Sequence, residues 1–291
     1  MDTFLMKVVA PILLALIMVG MGLSLVIDDF KRIFVYPKAA TIGIVGQMII
    51  LPIIGFVVSS LFPLRPELAV GVMILAACPG GVASNVVSHL SKGDTALSVT
   101  LTVLSSFLAV ISVPLIISIA LHQFMGAQSE IQLPIVETSF KVFLITIPTI
   151  LLGMLIRSKF PDFAHRAIPW VKVGSALFLL MLMAVVIYQE RAHVVDYSMQ
   201  AGPVSFVLCS GTAVIAFLLS RIFKLNREQS ISITVEVGFQ NSTLAIVIAT
   251  SFLGNVQMAI PPGVYTLVMY LLSGLLIAYM NLRKEESAAA G

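Results

Sequence analysis

The sequence predicts an all-α polytopic membrane protein, and three observations carry that reading. Hydrophobic residues make up 59% of the 291-residue chain and charged residues 11%. Mean hydropathy is +1.06, and apolar runs of membrane-spanning length recur from end to end. Soluble domains do not reach this composition. A hydrocarbon core of ~30 Å takes about 20 apolar residues of helix. By that measure a single membrane domain over 1–291 is expected, with nine transmembrane helices at 8–27, 39–62, 68–87, 95–121, 140–156, 168–187, 204–220, 231–253 and 262–282.

The first span runs straight into Asp28-Asp29-Phe30-Lys31-Arg32 without a small-residue cleavage pattern, so it is expected to be retained and not removed as a signal peptide. Those charges read as an interfacial cluster. Gln47 is a lone amide in the middle of the apolar second span. The third is interrupted by Cys78-Pro79-Gly80-Gly81 and then Ser84-Asn85. In the fourth, Ser98 and Thr102 lie four apart, on one helix face. Spans five to seven carry no such interruption; Trp170 and Tyr197 near span ends read as an aromatic belt. The eighth is interrupted by Glu236-Val237-Gly238-Phe239-Gln240-Asn241. After the ninth, residues 283–291 read as a cytoplasmic tail, disordered from Glu285.

Sorting basic residues by loop places thirteen on one side, from Lys31 and Arg32 to Arg283 and Lys284 and including Lys172, against Lys7, Arg65, Lys141 and Arg191 on the other. The positive-inside rule then puts the C-terminus in the cytoplasm and the N-terminus outside. The interrupted spans are five crossings apart, so they run in opposite directions through the bilayer. That is what an inverted repeat of spans one to four and six to nine requires, with the two breaks facing each other near the membrane centre.

An unpartnered backbone amide in lipid costs several kcal/mol, so broken helices persist only where protein or a polar cavity surrounds them. A break frees carbonyl oxygens, which suit a hard cation, and amide donors at a helix start, which suit an anion. Glu236 is the residue hardest to explain as packing, because a carboxylate at a span centre costs roughly 2.5–3.5 kcal/mol even on the lenient insertion scale. Ser98 and Thr102 taken singly are more often helix-packing residues than ligands, and the duller reading of Gln47 is a hydrogen bond to a neighbouring helix. Cys78 and Cys209 read as packing residues, and the four histidines have no metal-ligand spacing. An intramembrane enzyme is excluded on constellation: no second carboxylate pairs with Glu236, there is no HExxH, and no histidine lies at depth to activate Ser84.

The run Gly80 to Thr102 (GGVASNVVSHLSKGDTALSVTLT) together with Thr234 to Ser242 (TVEVGFQNS) resembles the bile acid:sodium symporter family, and the resemblance extends over essentially the whole chain, which is similar to the family's nine-helix form. It implies panel and core domains, with two crossing discontinuous helices in the core, and a carrier expected to work as a monomer in a bacterial inner membrane. By the family pattern one sodium ion lies among Ser84, Asn85, Ser98, Thr102 and Glu236. A second lies among Gln47, Gln240 and backbone oxygens at Glu236, Val237 and Phe239. Substrate contacts fall at Val82, Ala83, Asn241 and Ser242. Some bacterial members have His-Asn where this chain has Tyr270-Leu271, and Thr where it has Val82. The implied function is symport of sodium with an organic monoanion, either a bile acid or a small carboxylate such as a keto acid or a pantoate-like molecule. The alternatives are a proton-coupled anion carrier using Glu236, or an arsenite-type efflux carrier using Cys78. No nucleic acid partner is expected; membrane lipid is.

Overall fold

The computed structural model describes residues 4–126 and 134–289. Every regular element among them is a helix. A π turn over Leu5–Val9 leads into α1 (Ala10–Gly22), and α2 is Ile27–Val35. Next, α3 (Pro37–Val45) passes through a π turn at Gly46–Ile50 into α4 (Leu51–Leu61). The first interrupted pair is α5 (Pro66–Ala77) and α6 (Val82–Leu90). Four long helices follow: α7 (Thr95–Met125), α8 (Ile135–Lys159), α9 (Pro161–Gln189) and α10 (Val194–Ile222). The second interrupted pair is α11 (Arg227–Gly238) and α12 (Ser242–Val247), the latter prolonged by a π turn at Ile248–Phe252. A 3-10 turn at Gln257–Ala259 opens the last helix, α13 (Ile260–Ala289).

Helix starts follow local chemistry. Proline stands in the first turn of α3, α5 and α9, where its missing N–H removes nothing and its fixed φ suits the helix; in α1 and α4 it follows directly on the π turns at Leu5–Val9 and Gly46–Ile50. Elsewhere side chains cap. Asp94 Oδ1 accepts from Leu97 N at 3.0 Å to start α7. At α11, Asn226 and Gln229 form a reciprocal capping box.

Six stretches among the described residues are long and apolar enough to cross a membrane: Pro37–Leu61, Thr95–Met125, Ile135–Lys159, Pro161–Gln189, Val194–Ile222 and Gln257–Leu282. Large apolar side chains such as Leu16, Ile53, Leu151, Leu177, Val214 and Leu275 point outward. A water-soluble fold would bury such a surface; lipid accepts it. The chain is an integral membrane protein. With no hydrophobic drive between helices in lipid, close approach rests on small residues, and the tight α1–α8 contact is built that way: a Cβ on Gly153 would collide with the Val19 carbonyl, and one on Gly22 with the Ile150 carbonyl.

Three expectations change. The first helix ends at Gly22 and not at 27; Ser24 Oγ donates to the Met21 carbonyl at 2.6 Å, and Asp29 Oδ2 accepts from Val26 N at 2.8 Å, which ends one helix and starts the next. Leu25, Val26 and Ile27 look like span residues but belong to the linker and the start of the short amphipathic α2. The final helix continues to Ala289, past Glu285 where a disordered tail was expected; Ala290 and Gly291 lie outside the described residues. Tyr197 is buried, not placed on an outer belt, with the Arg65 guanidinium 5.1 Å from its ring centre. Trp170 is exposed.

Candidate functional site

Both interruptions fall where the sequence expected them. After α5, Cys78 turns extended (φ −70°, ψ 149°), and its N–H closes the helix on the Leu75 carbonyl at 3.0 Å. Pro79 has no N–H to continue the ladder, and α6 starts afresh with Ser84 N on the Gly81 carbonyl at 3.0 Å. After α11, Phe239 is extended, and Asn241 Oδ1 caps α12 by accepting from Leu244 N at 3.0 Å. The two breaks run alongside each other. Gly80 and Gln240 form an isolated antiparallel bridge, and Asn241 N donates to the Pro79 carbonyl at 2.9 Å.

Glu236, in the last turns of α11, is fully buried against this junction. Its Oε2 lies 2.8 Å from Ser84 Oγ and 3.0 Å from Ser98 Oγ; its Oε1 accepts from Thr102 Oγ1 at 2.5 Å. The same serine and threonine also reach Asn85, whose Oδ1 is 2.9 Å from Ser98 Oγ and 3.3 Å from Thr102 Oγ1. A carboxylate, a carboxamide oxygen and three hydroxyls from α6, α7 and α11 therefore converge. No Lys or Arg is paired with Glu236 among the described residues. All five residues of the first expected sodium set are thus brought together, and their oxygens are the hard ligands an alkali cation prefers.

A second polar cluster sits on the other side of the break. Gln47, at the π turn between α3 and α4, donates from Nε2 to Gln240 Oε1 at 2.7 Å and to the Cys78 carbonyl at 3.0 Å. Gln240 Nε2 donates to the Val237 carbonyl at 2.8 Å. Gln47, Val237 and Gln240 are therefore joined by hydrogen bonds. The Glu236 carbonyl accepts from Phe239 N at 3.4 Å, while the Phe239 ring turns to Tyr270, 5.9 Å away edge to face.

The four expected substrate residues, Val82, Ala83, Asn241 and Ser242, all line one cavity of about 300 Å³. Its other walls come from α1 (Ile17, Met18), α9 (Lys172, Ser175, Leu179) and α13 (Met269, Tyr270). Two contributions escaped sequence reasoning. The Cys78 carbonyl joins the Gln47 cluster, and Lys172 lies in the cavity wall although it sorts with the loop cations. The expected bounds of the sixth span already enclosed Lys172, and that was the available signal. The Cys78 thiol is buried and is not part of the cavity wall.

Over residues 11–197 the chain matches the model of the Sodium Bile acid symporter family. It belongs to that family. Across 286 residues it is 30% identical to the sodium-dependent transporter YocS of Bacillus subtilis, covering 96% of this chain and 85% of YocS. Identity is also 30% over 266 residues to BASS1, a chloroplastic protein of Arabidopsis thaliana named for sodium/metabolite cotransport, covering 90% of this chain but only 64% of BASS1. The human ileal sodium/bile acid cotransporter is 30% identical over 241 residues, 82% of this chain and 68% of that protein. These relatives of the symporter-family chain are transporters and not enzymes, and they are named for sodium dependence.

Proposed function

We propose that this member of the Sodium Bile acid symporter family is a secondary transporter that couples inward sodium movement to uptake of a small organic monoanion. The observation that carries the proposal is the buried Glu236 carboxylate, held by Ser84, Ser98 and Thr102 where the two helix breaks meet. A carboxylate so placed, without a basic partner, suits a cation as its counter-charge. Sodium occupies two sites, one at the Glu236 cluster and one at the Gln47–Gln240–Val237 cluster. The organic anion occupies the neighbouring cavity and touches Val82, Ala83, Asn241 and Ser242. A volume of about 300 Å³ lies at the lower end of small-molecule pockets, which favours a small carboxylate over a sterol acid.

Nine crossings arranged as an inverted repeat, with α5–α6 and α11–α12 as the crossed broken helices, bring the matching breaks together; the N-terminus is outside and the C-terminus cytoplasmic in the inner membrane of a bacterium. Two sodium ions with one monoanion carry one net positive charge, worth roughly 2.3 kcal/mol per 100 mV. A tenfold sodium gradient adds about 1.4 kcal/mol per ion, so concentrating the anion about a thousandfold lies within the available driving force. Cys78 is buried and lies outside the cavity wall, which counts against an arsenite mechanism through it. Uptake of labelled monocarboxylates into proteoliposomes, driven by an inward sodium gradient or by an equal choline gradient, tests the proposal. Uptake that ignores the choice of cation contradicts it.

A further inference from the structure

The cavity beside the breaks has a single charged side chain in its wall. Among the described residues that line it, only Lys172 is basic or acidic. It stands on α9, while Asn241, Ser242 and Thr243 come from the second break. Lys172 forms no ion pair with any described residue. Its side chain is exposed at the cavity, one turn inside the span expected from residue 168, so it is reachable by a solute entering from solution. A polar group in the same wall is unsatisfied: Ser242 Oγ is buried and has no hydrogen-bond partner among the described residues. Every residue the family pattern assigns to the substrate, namely Val82, Ala83, Asn241 and Ser242, is neutral. Beyond the partial positive charge of the two half-helix starts, those four bring no full charge to meet a carboxylate.

We infer that Lys172 is the specificity-determining residue for the anion: its ammonium pairs with the substrate carboxylate in the cavity, and Ser242 supplies a neutral donor from the break. This rests on the reading of the chain as an organic-anion carrier and adds the group that distinguishes an acid from its uncharged analogue. The competing account is that Lys172 snorkels to the headgroup region on its long stem. In that case neutralising it leaves acid binding unchanged.

Thermal unfolding of the full-length detergent-purified protein in saturating NaCl, titrated with pyruvate, pantoate and cholate and with the methyl ester of each, separates the outcomes. At least one acid, and none of the esters, stabilises the wild type. Lys172→Gln then requires roughly tenfold to a hundredfold more of that acid, the value of one charge-assisted hydrogen bond, while its stabilisation by NaCl is unchanged and Lys172→Arg retains wild-type acid binding. Unchanged acid affinity in Lys172→Gln, with the NaCl response intact, overturns the inference and leaves the transporter reading standing. If no acid shifts the wild type although NaCl does, the organic-anion reading falls and the inference with it. Should Lys172→Gln lose the NaCl response as well, Lys172→Arg decides: acid binding retained supports the inference, and acid binding lost overturns it.

Discussion

Gly80 leaves open the space that Glu236 Oε1 occupies: a Cβ at Gly80 would overlap the carboxylate. One break of the chain is thereby shaped around the charge carried by the other. Gly80→Ala must displace Glu236 from Ser84, Ser98 and Thr102, and overpacking of this kind costs roughly 1–3 kcal/mol. The expected result is a lower unfolding temperature together with a lost or much weakened sodium response. Thermal unfolding in NaCl and in choline chloride reads both effects.

Gln47 gives a separate handle on the second cluster. Gln47→Leu keeps the volume but leaves Gln240 Oε1 and the Cys78 carbonyl without a donor, a loss of about 1–3 kcal/mol per buried group. If two sodium ions bind cooperatively, initial uptake rates depend sigmoidally on sodium in the wild type. In Gln47→Leu the curve flattens toward hyperbolic and the Glu236 cluster still responds to sodium. A curve that keeps its steepness removes Gln47 from ion binding.

The polar anomalies of this site were legible because apolar helices are a quiet background. Gln47, Glu236, Gln240 and the Cys78–Gly81 interruption each violate what lipid tolerates, and the structure joins all of them at one junction. Ser98 and Thr102 stand out by their spacing of four on one helix face, but taken singly they resemble Thr146 or Thr212, whose hydroxyls simply bond back to their own helices, and it is the family pattern that assigns them to an ion. Hydropathy gave no means of ending the first helix at Gly22, because Leu25, Val26 and Ile27 are as apolar as a span. Which way a helix turns its faces was also out of reach, and so Tyr197 was expected outside and Lys172 was counted with the loops.

Cys78 tests the arsenite alternative. Its thiol is buried, has no hydrogen-bond partner among the described residues and lies outside the cavity wall. Cys78→Ala removes only a small packing group and is expected to lower stability by about 1 kcal/mol while retaining most sodium-driven uptake. Abolished uptake by a folded Cys78→Ala protein would falsify the packing role.

Gly153 supplies the control for stability without function. A side chain there drives the Val19 backbone off α8, so Gly153→Val is expected to lower the unfolding temperature sharply. The additional stabilisation produced by sodium is expected to stay as in the wild type, because α1 and α8 contribute no group to either ion cluster. A sodium response lost in proportion to stability would mean that the ion sites depend on the α1–α8 contact.

The most direct measurement is a sodium titration of unfolding temperature at constant ionic strength, with choline as the replacement cation, on the wild type and Glu236→Gln. Ligand that binds only the folded state stabilises it by RT ln(1 + [L]/Kd). The wild type is predicted to rise with sodium and not with choline or potassium, and Glu236→Gln to fold but give no sodium-selective rise. Equal responses in the two proteins, or a wild-type response that sodium shares with potassium, would contradict a sodium site at Glu236.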